Sequence, residues 1–95
     1  MASGSIKKCN ALGANVISAV MSGATIGAGA YHDFVYTFNR PVAYMGYQAY
    51  GIATKNIIAT AAGLTNDGNG LVRLKNNESS SVTTGQVVIY YRVIE

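Results

Sequence analysis

At 95 residues the chain is one domain, with room for a single core but not for a core plus an elaborated catalytic cleft. Charged residues make up only 12% of it, against roughly a quarter in ordinary soluble domains, while hydrophobic residues reach 49%. A surface so poor in charge is expected to hide part of itself against copies of the same chain. The net charge of +3 is scattered over Lys7, Lys8, Arg40, Lys55, Arg73, Lys75 and Arg92, without the clustered footprint of nucleic-acid binding. Cys9 is the one cysteine, so no intrachain disulfide can form. Neither a membrane span nor a secretory leader is expected, and a cytosolic site of synthesis fits. Residues 1–5 (MASGS) read as a flexible start or expression remnant, leaving 6–95 as the domain.

In chain order, Asn10 to Met21 spaces Leu12, Val16 and Val20 as a helix would, yet Gly13 penalises a helix and Val16 to Met21 also alternate, which favours a strand. Thr25 to Ala30 is a glycine-rich entry to Tyr31–Asn39 (YHDFVYTFN), whose period of two is that of a strand. His32, Phe34, Tyr36 and Phe38 are expected toward a core, with Asp33 and Thr37 outward. Asn39 to Pro41 breaks the ladder because proline lacks an amide hydrogen. Val42 to Tyr50 resumes as a strand, and Gly46 within it suggests a bulge.

Ile52 to Ala62 reads as a further strand, although its alanines also permit a helix. Leu64 to Gly70 (LTNDGNG) is a turn, with Asp67-Gly68 and Asn69-Gly70 both suited to positive φ. Leu71 to Asn76 alternates Val72 and Leu74 against Arg73 and Lys75, the pattern of a strand with one wet face. Asn77 to Ser81 is a polar turn. Gln86 to Ile94 is apolar on both faces and belongs either at the centre of a sandwich or at a subunit interface. Short strands between glycine and asparagine turns indicate an all-β fold, a small antiparallel β-sandwich of jelly-roll type.

The run from Ala24 to Tyr44 (ATIGAGAYHDFVYTFNRPVAY), a strand closing on Leu74-Lys75-Asn76-Asn77, and the terminal Gly85 to Ile94 (GQVVIYYRVI) resemble the carboxy-terminal domains of bacteriophage tail fibres and other receptor-binding proteins. The pattern is similar to that of H-type lectin domains and covers about three quarters of the chain by element order. The last strand lacks tryptophan, and Arg40-Pro41 follows Asn39 directly, so no ligand-binding residue carries over individually. The resemblance implies a homotrimer on a virion appendage that binds a cell-surface saccharide or protein.

Catalytic chemistry finds little support in the residues. His32 is the one histidine, and alternation sends Asp33 to the opposite face, so a pair with Cys9 lacks its orienting carboxylate. Three copies of His32 converging on a symmetry axis would suit a metal, but a packed histidine is the simpler account. Asn66, Asp67 and Asn69 lack the second carboxylate and terminal glutamate of a calcium loop. Asp33, Asp67, Glu78 and Glu95 are the whole carboxylate supply and do not suggest a glycosidase pair. Gly27-Ala28-Gly29 lacks the helix of a phosphate cradle. We therefore expect no enzyme, no cofactor and no metal.

Tyrosine is the best functional clue among the residues. Tyr44, Tyr47 and Tyr50 stand three apart and cannot all share a face, so some are expected outside, where an aromatic ring with a hydroxyl suits a saccharide or a protein contact. The expected ligand-binding residues are Tyr47, Tyr50, Asn66, Asp67 and Asn69, and the expected oligomer interface is Val88, Tyr90 and Ile94. Two functions fit these expectations: a receptor-binding or adhesion tip, or a structural trimerisation or capsid-decoration domain with no ligand.

Overall fold

The computed structural model describes residues 16–94, and these form strands and loops only. Expectations that concern residues 1–5, Cys9, residues 10–15 and Glu95 lie outside the described residues. In chain order the elements are β1 (Val16–Met21), β2 (Thr25–Ile26), β3 (Tyr31–Tyr36), β4 (Val42–Ala49), β5 (Ile57–Leu64), β6 (Gly70–Asn76), β7 (Val82–Thr83) and β8 (Val87–Val93). Every pairing is antiparallel. One sheet has the order β1-β8-β4, a second β3-β6-β5, and β2-β7 forms a short ribbon.

The two larger sheets pack face to face, with β1 against β3, β8 against β6 and β4 against β5. Ala19, Val87 and Ile89 from one sheet meet Phe34, Val72 and Leu74 from the other, and Ile26 closes the layer from β2. Full burial of each large aliphatic side chain here contributes roughly 1.5–3 kcal/mol, and the alternation of β6, with Val72 and Leu74 inside, produces this layer. β8 is paired on both sides and buries Val87, Val88 and Ile89 in succession, the place that its two apolar faces call for.

Several boundaries and orientations differ from the sequence expectation, each for a local reason. β5 starts at Ile57 rather than Ile52, because Lys55 N–H donates to Ile52 O and turns the chain first. Leu64 ends β5 opposite Gly70, so the turn shrinks to Thr65–Asn69, where Gly68 has φ +82°. Gly70 is not a positive-φ glycine but a packing one: a Cβ there would lie 2.8 Å from Phe38 Cε2 and 2.9 Å from Ile89 Cδ1. His32 shares the inward side with Phe34 but stays exposed, since β3 is an edge strand, and its ring meets Phe34 edge-on at 4.7 Å.

The bulge expected at Gly46 is present as a register shift between Tyr44 and Gly46, with φ +140° at the glycine. It changes what the tyrosine spacing means. Tyr44 lies opposite Tyr91 and Tyr47 opposite Ile89, so the extra residue brings these two tyrosines onto one face.

One end of the sandwich is tied by Asn76, which is fully buried. Its Nδ2 donates to Ile26 O (2.9 Å), Gly27 O (3.2 Å) and Ser80 O (2.9 Å), and its Oδ1 accepts from Glu78 N–H (2.8 Å). The backbone of Asn76 also exchanges hydrogen bonds with Ala30 and Gly29. Asn76→Ala strands the buried Ile26 carbonyl and the part-buried Gly27 and Ser80 carbonyls, and urea denaturation should show a loss of about 3 kcal/mol. Asn76→Asp sets a buried carboxylate against the same carbonyls, so that variant is expected to lose further stability as pH rises from 4 to 7, the opposite of an ordinary surface aspartate.

Candidate functional site

The best organised surface cluster lies on the outer face of β3-β6-β5. Antiparallel register places Tyr31 beside Lys75 and Ile58, Asp33 beside Arg73 and Ala61, and Val35 beside Leu71 and Gly63, giving three rows across three strands. Arg73 Nε donates to Asp33 Oδ1 at 2.6 Å and Nη2 to Oδ2 at 2.9 Å, a two-pronged clamp with both groups about a third exposed. The guanidinium carbon sits 4.6 Å from the centre of the Tyr31 ring. Tyr31 itself remains 59% exposed, so the ring is braced without being covered. Lys75 Nζ is drawn aside to Gly29 O at 3.0 Å.

Hydrogen bonding from Arg73 holds the Asp33 carboxyl below its ordinary value of 3.8, outweighing its partial desolvation, with the charges of Arg73 and His32 acting in the same sense. The same bonds raise the guanidinium of Arg73. The pair is thus fully ionised wherever the protein is folded at neutral pH.

A second feature is a shallow pocket of about 130 Å³ where β3 leaves its sheet and β8 ends, walled by Tyr36, Phe38, Arg40, Val42, Tyr91 and Val93. The rings of Tyr36 and Phe38 lie 5.2 Å apart and those of Phe38 and Tyr91 4.6 Å apart. Below it Tyr44 donates its hydroxyl to Leu71 O at 3.2 Å, joining the two sheets. Burial, with a smaller push from Tyr47, raises the Tyr44 hydroxyl from 10.0 to about 12.

The expected ligand residues come from separate elements: Tyr47 from β4, Tyr50 from just past it, and Asn66, Asp67 and Asn69 from the turn between β5 and β6. Tyr47 and Tyr50 are exposed, Asn66 and Asp67 are exposed, and Asn69 is partly covered. Tyr50 is bound through its backbone to Gln86 and Gly85, where β8 begins. The Thr65–Asn69 turn instead closes the other end, where Gly70 packs on Phe38 and Ile89. Of the expected interface residues, which lie on or just past β8, Val88 is already 5% exposed within one copy and has little surface to give. Ile94 is 57% exposed and Tyr90 is partly covered. Among the described residues no three of His, Cys, Asp and Glu come together in a metal-binding group.

Sequence reasoning missed the Tyr31, Asp33 and Arg73 cluster. It assigned Asp33 and Arg73 to wet faces correctly, but which rows of β3 and β6 meet is set by long-range bonds, those of Asn76 to Gly29 and Ala30 among them. No known protein family, curated protein or solved structure matches this chain.

Two titrations test these electrostatics. Asp33 has a folded-state value below its unfolded one, so the stability that its clamp contributes is present above the ordinary carboxylate range and is lost as pH falls through the folded value. Carboxyl carbon NMR should place the Asp33 midpoint below that of free aspartate, and Arg73→Gln should raise it. Tyr44 has the opposite sign: its contribution is complete below pH 10 and is lost as pH climbs from there through about 12. In an ultraviolet alkaline titration the last phenol to ionise should vanish in Tyr44→Phe.

Proposed function

We propose that this chain is the receptor-binding or adhesion tip domain of a phage-type fibre, acting without covalent chemistry as a homotrimer that recognises a cell-surface glycan or protein. The observation that carries this reading is the amount of apolar surface one copy leaves in water. Among the described residues nine large apolar side chains are 39% to 59% exposed: Tyr31, Val35 and Ile58 share the outer face of β3-β6-β5, Tyr47 and Leu64 lie along the β4 and β5 side, and Ile17, Val20, Tyr50 and Ile94 stand elsewhere. Along the β4 and β5 side the alanines Ala59 and Ala62 are also exposed, so the sandwich is open there. Surface of this kind, in a domain with 12% charged residues, suits burial against other copies and against a receptor.

A purely structural assembly domain is the second reading, and one observation favours it. β5 (IIATAAGL) is an eight-residue edge strand with neither a charge nor a proline to discourage pairing with another chain. Light scattering over a dilution series should give a stable mass near three times 9.9 kDa; a well-folded monomer at micromolar concentration defeats both readings. Saturable binding to whole cells separates them, since the assembly domain alone predicts a trimer that binds nothing.

A further inference from the structure

We infer that Asp67 is a site of spontaneous covalent modification: in the folded domain its carboxyl closes onto the Gly68 nitrogen and reopens as isoaspartate, while the fold protects the neighbouring Asn69-Gly70 pair. The chemistry is independent of the receptor-binding reading and belongs to the turn between β5 and β6. Asn66-Asp67, Asp67-Gly68 and Asn69-Gly70 each set a main-chain nitrogen next to a side-chain carbonyl carbon that it can attack. A following glycine leaves that nitrogen least hindered, whereas the Asp67 side chain obstructs attack on Asn66. At Asp67 the Gly68 nitrogen gives up its proton and bonds to Cγ, and a carboxyl oxygen leaves as water to give a cyclic imide. Water then adds back at either imide carbonyl. Breaking the bond to Cγ restores aspartate, while breaking the bond to the main-chain carbonyl carbon leaves the chain running through Cγ as isoaspartate. One water leaves and one returns, so no oxidant, reductant or enzyme is required.

Place decides which pair reacts. Closing the imide requires rotation about the Cα–C bond of the first residue, which swings its carbonyl and the next nitrogen together. At Asp67 that swing gives up the bond from Gly68 N–H to Thr65 O, 2.9 Å long, in a turn where both residues are exposed. A Cβ built on Gly68 would meet nothing within 4 Å, so the peptide has room to move.

Asn69-Gly70 is the faster pair by chemistry, because an amide is a better electrophile than an ionised carboxylate, and the slower one by position. Asn69 O accepts from Thr65 N–H at 2.8 Å, and Asn69 N–H donates to Thr65 Oγ1 at 3.2 Å. Gly70 is buried, lies opposite both Leu64 and Tyr36, and leaves no space for a Cβ beside Phe38 and Ile89. Swinging the Asn69 carbonyl and the Gly70 nitrogen therefore means opening the ends of three strands, and deamidation waits for that opening. The product at Asp67 carries one more methylene in the main chain and leaves the net charge of +3 unchanged. Aged protein would thus present two forms of the same turn with no difference in charge between them.

The test ages the full chain and the variant Asp67→Asn in warm neutral buffer, folded and in urea beyond the unfolding transition. Peptide mass spectrometry with electron-transfer fragmentation then distinguishes isoaspartate from aspartate at each position. In the parent chain, isoaspartate at Asp67 should form within about threefold of its rate in urea, while deamidation of Asn69 should be at least about tenfold slower folded than in urea. Asp67→Asn sets two Asn-Gly pairs in one turn, alike in chemistry and different in place. In that variant, folded, position 67 should deamidate at least about tenfold faster than Asn69, and in urea the two should agree within about twofold. The inference is overturned if folding slows Asn69 no more than position 67 in either chain, or if isoaspartate at Asp67 forms in urea but not in the folded domain.

Discussion

Asn76 is a polar side chain placed where the fold can least tolerate an unmet hydrogen bond, and its partners come from segments about fifty residues apart in sequence. Its amide reaches Ile26 and Gly27 on one side and Ser80 and Glu78 on the other, while its backbone holds Gly29 and Ala30. Those bonds fix where β3 starts relative to the end of β6. Tyr31 then falls opposite Lys75 and Asp33 opposite Arg73. A slip of one residue would turn Phe34 out to solvent and Asp33 into the core, so the surface clamp and the buried layer share a single register.

Much of the fold was legible because burial acts on neighbouring residues. The alternation of Tyr31 to Tyr36 and of Leu71 to Asn76 marks strands, Asp67-Gly68 marks a turn, and Gly46 marks the bulge. What the sequence hides is long-range. The effect of that bulge on Tyr47 depends on the register of β4 against β8, and Gly70 is explained only by Phe38 and Ile89, which arrive from other strands. The candidate surface suffered most from this. Its three principal residues come from two strands whose relative offset is decided by Asn76, which looks in the sequence like an ordinary strand end. The tyrosine spacing drew attention to Tyr47 and Tyr50 and passed over Tyr31, which is the most exposed of the three.

The two sheets divide the work unequally. β8 lies between two partners and buries successive residues, so the β1-β8-β4 sheet carries much of the cohesion of the domain. The β3-β6-β5 sheet buries Phe34, Val72 and Leu74 on its inner side and keeps an orderly polar and aromatic array on the other. Strand alternation alone makes this double duty possible: neighbouring residues in β6 serve core and surface in turn, and neither sacrifices geometry to the other.

Where β1 passes to β2, three backbones crowd together. A methyl group on Gly23 would lie 2.2 Å from Thr84 O, and one on Gly51, at φ +77°, would lie 2.8 Å from Gly85 N. No such crowding surrounds Gly68 in the β5 to β6 turn, where a Cβ would meet nothing within 4 Å. The domain therefore has a welded corner and a permissive tip. Variation in length or composition can accumulate at the tip without loosening the frame, which is the arrangement a protein needs if its contacts must change faster than its architecture.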